Sequence, residues 1–596
     1  MDRETFESLT PEEQAKIFSE TPLTEKSELI LLAHEPGRLT QGLSAEELYL
    51  MTRDLDREEK AEILRLAGTD QLAFMADMDC WQGDQIAGAQ FVGWLGTLLE
   101  ADESAVLRWM HHSDYEAIIA GFQKFASVLK PDWETNVDEI VGDQPYFTLD
   151  RMYYILVAEE NFETVKRVIE VLYENDRPRY FALLEGVLGE MDYEMEEDAY
   201  SNRERRLADR GFPDFETAVR ALIPLDLEGF RNFPKKEKTT DARETAEEGG
   251  RPAAPRYLVL SASHRLFLDD ALLALEEGPD SLREGVFEEL AWLCNKMIVC
   301  GGMDFTSQEK VRRAVDRVRS LVSLGLELLS GGDLSKASEI LSERWVEAVF
   351  RYALSELHPL RDRVRALIRS EWKGEAEIFF SFLEPPYEFI FRGLAEKTPL
   401  CFDENASDSL YHHREFAGRQ DLERARWSVE QIETMHRFIR RRSPSIFSNI
   451  LRSAGLGGAE ETLMSLCGNL LVRFGAGAKL SMDPVSEEQL DFFLREAFQD
   501  RILKADVRER FLESLIDAEE KTLMLPFWGL VFQKVQEQLS RLTPGRAVEG
   551  ELLTCIRIQR SAAEVPPHVV ADSGQEAQPS PRKRAARNKK RRSENG

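Results

Sequence analysis

"LTPEEQAKI" (Leu9–Ile17) recurs in outline as "LTEKSELIL" from Leu23, "LSAEELYLM" from Leu43 and "LDREEKAEI" from Leu55. Each copy reads as a helix start. Thr10 is placed to accept from first-turn amides, Pro11 suits the first helical position, and Glu13 can reach back to close a capping box. Ser44 with Glu47 repeats the arrangement, and Asp56 with Glu59 repeats it with a carboxylate cap. Thr24 offers the cap but has Ser27 where the acid should stand. An apolar stripe follows each start: Ile17 and Phe18, then Leu29, Leu31 and Leu32, then Leu48 and Met51, then Ile63 and Leu66. The spacing leaves room for helices of two or three turns, which are marginal alone and gain a common core by stacking. The expectation is an all-α protein: short capped helices stacked as an irregular superhelical repeat, followed by a second helical domain.

Working outward, residues 1–130 read as the short-helix repeat domain and 148–232 as its helical continuation. Between them, residues 131–147 read as an irregular connector. In "TVKRVIEVLYEN", Val165, Val168, Ile169 and Leu172 fall on one helical face. Residues 233–256 hold charge, Thr, Gly and Pro without an aliphatic core residue, which reads as a disordered linker and the main boundary. Residues 257–560 read as a C-terminal helical domain. Thr306 and Glu309 box one of its helices, whose stripe runs from Val311 to Val322 and stops at Gly331–Gly332. Ser486 and Gln489 box another, with Leu490, Phe493, Leu494, Ala497 and Phe498 inside. Strand candidates are "YLVL" at 257 and "TCIRI" at 554. From about Ala562 to residue 596 the chain reads as a disordered basic tail.

Composition narrows the class. The 596 residues carry a net charge of −32, and 43% are hydrophobic. The last 17 residues, from Ser580, hold about +7, so with −32 in all the rest carries about −39. A body so acidic repels nucleic acid and anionic membrane, leaving only the run "PRKRAARNKKRR" (Pro581–Arg592) as a contact for either, or else as a segment that folds back on the acidic body itself. Six cysteines lie scattered without a C-x-x-C, which suits reduced thiols in a cytoplasm. "MDRETFESL" lacks the pattern of a signal peptide. The longest apolar run, Leu523–Phe532, is half the length of a membrane helix, so no span is expected.

Residues 9–76 resemble the cytoplasmic N-terminal domain of MgtE-type magnesium transporters, and more loosely the helical repeats of FliG. The resemblance implies a fold element; the nucleotide-binding-type pair and channel that follow in MgtE have no counterpart here. "MADMDCWQGDQIAGAQFVGWLGTLLEAD" (Met75–Asp102) and "EEDAYSNRERRLADRGFPDFETA" (Glu196–Ala218) are similar to an uncharacterised bacterial family catalogued as a domain of unknown function, over most of the chain. That resemblance implies a class and brings no catalytic residue with it.

His111–His112 and His412–His413 are adjacent pairs, which point about 100° apart on a helix and suit one metal poorly. Glu190 to Asp198 alternates acids like a calcium loop, but Glu197 stands where the loop needs glycine and Arg203 where it needs a bidentate Glu. It reads as a solvated helix face paired with Arg203, Arg205 and Arg206. Gly455–Gly458 and Phe474–Leu480 match no phosphate-binding motif. No catalytic, metal or cofactor motif is found. Two clusters remain. Phe379, Phe380, Phe382, Tyr387, Phe389 and Phe391 surround Pro385–Pro386, either as a groove for a peptide or helix or as a helix break packed in the core. Arg437, Arg440, Arg441 and Arg442 crowd a helix end before Pro444, where they complement the helix dipole or hold an anion. The function expected is a cytoplasmic helical scaffold or adaptor that binds another protein. The alternatives are a divalent-cation-responsive regulator, by fold analogy, and an enzyme of unrecognised type.

Overall fold

A computed structural model describes residues 6, 8–21, 23–53, 55–132, 137–188, 193–236, 265–275, 280–301, 308–404, 413–454, 461–515, 517–545 and 553–559. It divides into two compact units, one of residues 1–381 and 385–433, the other of 382–384 and 434–596. The fold is all-α, with a few short antiparallel strand pairs. Most of the expected linker, "YLVL" at 257, Thr306, His412, Gly455–Gly458 and the basic tail lie outside the described residues.

The first unit opens as the capped repeats require. Thr10 and Glu13 close a reciprocal box on the helix Pro11–Glu20. Ser44 and Glu47 exchange the same two bonds, both 3.1 Å. Asp56 accepts from the amides of Glu58 and Glu59. Thr24 departs from expectation: the helix Leu23–Leu32 already includes it, so it sits in the first turn and is not the cap. The long gap before Ser44 holds a further helix, Pro36–Gln41.

Stacking follows a skip-one rule. Leu23–Leu32 packs on Ala45–Arg53, Pro36–Gln41 on Arg57–Leu66, Ala45–Arg53 on Thr69–Asp79, and Arg57–Leu66 on Gly88–Ala101. Leu48, Ile63, Leu64, Leu72 and Leu95 fill the seam and are fully buried. A three-stranded antiparallel sheet interrupts the helices, with Tyr154–Val157 between Ala126–Leu129 and Tyr146–Phe147. Its centre strand falls where helix was expected to resume. Ile155, Leu156 and Val157 form an apolar run that a central strand can bury on both faces.

Further on, Val165, Val168, Ile169 and Leu172 are buried on the helix Phe162–Asn175, on the face their spacing requires. The helix Gln308–Ser330 buries Val311, Val315, Val318, Leu321 and Val322, and stops at Gly331 and Gly332, whose φ angles of 68° and 83° a side chain resists. It packs on the 26-residue helix Val346–Glu371.

The second unit is built from the helices Ile446–Ala454, Leu463–Gly475, Glu487–Ala497, Ala505–Leu515 and Ala518–Leu539. Ser486 and Gln489 form the expected box. Phe498 is corrected: it leaves the helix as an extended residue and pairs with Leu503 across a turn whose Asp500 and Arg501 have positive φ. "TCIRI" contributes a single parallel bridge, Ile558 to Val485. The apolar run Leu523–Phe532 is the middle of Ala518–Leu539, with Trp528 at its centre, packed on Phe511. No helix of the described residues is long and apolar enough to cross a membrane.

Candidate interaction surface

Phe379, Phe380, Phe382, Tyr387 and Phe391 are buried, and Phe389 is half-buried. In the first unit Phe379 packs between Trp372 and Phe391, and Tyr387 donates to Gln431. In the second, Phe382 meets His436 and Phe447 edge-on. Most of this aromatic surface is therefore taken up by packing within each unit, while Pro385 itself, in a cis bond to Pro386, is exposed.

The arginines end the helix Arg419–Arg442 and are exposed, but they are engaged. Arg441 pairs with Asp517 and Glu520. Arg442 donates to the Leu515 carbonyl and lies 3.8 Å over the Phe438 ring. Arg437 bonds Thr434. His111 and His112 turn to different partners, Asp176 and the Arg108 carbonyl. His413 bonds the Phe389 carbonyl and lines an open cleft of about 600 Å³ with Arg365, Arg369 and Arg392. Among the described residues no group of three or more His, Cys, Asp or Glu is arranged to hold a metal ion.

A different surface of the first unit stands out physically. Asp214 caps the short helix Phe215–Arg220 by accepting from the Thr217 amide. The helix lies on Asp280–Cys300 and turns its alanines inward: Ala218 and Ala221 are fully buried. Small inward residues let two helices approach closely. The large residues then face water, with Phe215 62% exposed, Ile223 51%, and Val219 also outward. This inverts the usual arrangement, in which large apolar side chains fill the core and small or polar ones face solvent.

The ledge is held firmly. Trp292, 41% exposed, lies under Lys296, whose ammonium is 5.4 Å from the indole. Lys296 pairs with Glu347 at 2.6 Å, Glu347 with Arg351 at 3.6 Å, and Arg351 donates to the Ile223 carbonyl. That chain of contacts ties Trp292 on the helix Asp280–Cys300 to Ile223, just past the end of Phe215–Arg220. One turn before Trp292, Glu289 accepts from the Val346 amide and pairs with Lys236 at 2.6 Å. Burial pushes the Glu289 carboxyl upward against the pull of Lys236. The neighbouring charges are thus tied into pairs, and what the ledge offers outward is Phe215, Val219, Ile223 and Trp292. Apolar spacing of four residues in "FETAVRALI" was the only sequence signal, and by itself it reads as a buried stripe.

The family described as "Family of unknown function (DUF6178)" matches residues 3–559. The chain belongs to this family. Its match takes in both units, the ledge and the aromatic cluster included. No curated protein and no solved structure matches the chain.

Proposed function

We propose that this protein is a cytoplasmic helical scaffold or adaptor that binds another protein, and that the partner docks on the ledge of Phe215, Val219, Ile223 and Trp292. The observation that carries the reading is the inverted helix Phe215–Arg220, which buries Ala218 while Phe215 stands 62% exposed. Large apolar side chains exposed beside charges that are already paired are costly in water and are favourable where a partner covers them. With nearby charges already paired, the partner's matching face is apolar.

The test is affinity capture after chemical cross-linking, comparing the parent with a Phe215→Asp, Ile223→Asp double variant. A discrete heterologous partner retained by the parent and lost by the variant supports the proposal. A partner held equally by both, or self-association through the ledge, contradicts it. The basic run Pro581–Arg592 is proposed as a separate contact for nucleic acid or an anionic surface, with an affinity that falls steeply with salt.

A divalent-cation-responsive regulator is the second reading, supported by the resemblance of residues 9–76 to the MgtE-type domain. It predicts a thermal shift with millimolar magnesium that sodium at matched ionic strength does not produce. An enzyme, the third reading, draws support from the concave clefts of the first unit and requires turnover by groups that line them.

A further inference from the structure

The two stretches Met75–Asp102 and Glu196–Ala218, far apart in sequence, meet in the first unit around a cleft of about 350 Å³. Arg206, on the helix Tyr193–Asp209, grips Asp77 through two bonds of 2.7 and 2.9 Å and reaches Asp114 at 3.4 Å. Arg203 donates to the Asp77 carbonyl and covers the Trp81 ring. Glu196, buried, accepts from the Ile86 amide and from Lys124, both at 2.8 Å. Of the acidic stretch, Glu194, Glu197 and Asp198 are exposed as expected and Glu196 alone turns inward, while Glu190 and Asp192 lie outside the described residues. Arg203 and Arg206 pair away from their own helix.

The floor is apolar and largely aromatic: Phe91, Trp109, Ile86 and Ile118 are buried there, with Trp81 at the side. Cys80 also lines it, but burial pushes its thiol far above the ordinary range, so it is no nucleophile. The rim differs from the wall. Arg205 and Asp209 are exposed, line the cleft one turn apart on the same helix, and have no hydrogen bond or ion pair among the described residues. Side chains four apart on a helix stand about 6 Å apart at Cβ, so both can converge on one small dipolar group. His112, which also lines the cleft, uses its Nδ1 on the Arg108 carbonyl. Ser113 Oγ has no hydrogen-bond partner among the described residues.

We propose that this cleft binds a free aromatic amino acid, with its ring on the Phe91–Trp109 floor, its carboxylate on Arg205 and its ammonium on Asp209. The volume suits a single small ligand, at the lower end of the usual range of about 300–1,000 Å³. One cation and one anion left unused at the mouth of an aromatic pocket match a zwitterion better than a ligand of single charge. The proposal is independent of the ledge and its partner.

Calorimetric titration of the full chain with L-phenylalanine, L-tyrosine and L-tryptophan tests it. Phenylacetate, phenethylamine and N-acetyl-L-phenylalaninamide serve as comparisons. At least one amino acid is expected to bind, and each analogue lacking a charge to bind about tenfold or more weakly. Arg205→Ala and Asp209→Ala are expected to weaken the amino acid similarly while leaving thermal unfolding unchanged, since neither side chain has a partner to lose. Binding of the capped amide as tightly as the free amino acid, no binding by any of the three, or full binding by both variants would overturn the proposal.

Discussion

The imidazole of His436 lies stacked on the Phe447 ring, 4.7 Å between centroids and 13° from parallel. Burial drives its pKa down to about 3. In the unfolded chain the same ring takes a proton near its ordinary value of about 6.5. The unfolded state therefore binds the extra proton, and the second unit loses stability as pH falls below about 6.5 toward 3. Between pH 6 and 4 this residue alone removes about 2–3 kcal/mol. His436→Phe keeps a ring in the stack and is expected to flatten that part of the pH profile, read by urea unfolding at several pH values. Parallel profiles for parent and variant would contradict the burial.

The grip of Arg206 on Asp77 makes a second prediction. The Asp77 side chain is 9% exposed, and its carboxylate takes both of its bonds from Arg206. Arg206→Ala leaves a nearly buried charge without its partner, a loss of about 2–3 kcal/mol after allowance for the partly exposed guanidinium. Arg205→Ala, one residue earlier, is expected to change stability by less than about 0.5 kcal/mol. Denaturant midpoints of the two variants make the comparison.

How much of this was legible beforehand follows from the range of each signal. Thr10, Ser44, Asp56 and Ser486 act within three residues of themselves, so their caps could be read directly, as could the stop at Gly331–Gly332. The burial of Val165, Val168, Ile169 and Leu172 followed from helical spacing. The strand Tyr154–Val157 was hidden because its apolar run is equally compatible with a buried helix until Ala126–Leu129 is seen beside it. Thr24 failed as a cap because a cap residue alone, without its acid, specifies a boundary weakly. The ledge was illegible for a different reason: Ala218 and Phe215 exchange the roles that size and hydrophobicity assign them, and only the packed helix shows which face is inside. The union of Asp77 with Arg206 spans 129 positions, beyond any local pattern.

Gly468 sits where the carbonyl of Cys555 would come within 1.8 Å of an added Cβ. This approach lets residues 553–559 lie on the helix Leu463–Gly475, with Arg557 N donating to the Asn469 side chain at 2.8 Å. Gly468→Ala cannot be absorbed by a side-chain shift, because the obstacle is backbone. The expected cost is about 3 kcal/mol or more, accompanied by faster proteolysis near residue 555. A variant as stable as the parent would refute the close approach.

The cysteines offer a chemical check. Cys80, Cys294, Cys401, Cys467 and Cys555 are buried, and Cys300 is half-buried. Burial raises every one of these thiols, Cys401 and Cys555 to about 12. In the native protein at neutral pH a thiol reagent is expected to label Cys300 slowly and the other five hardly at all, with all six reacting in denaturant. Rapid native labelling of Cys294 or Cys467, identified by peptide mapping, would contradict the packing around them.

The ledge is tested most directly by a photo-cross-linking amino acid placed at Phe215 in the living cell, with Leu480, an exposed apolar residue of the second unit, as the control position. The scaffold account predicts a discrete heterologous adduct from position 215 and none from position 480. No adduct at 215, the same adduct at both positions, or an adduct made only of this chain would contradict it.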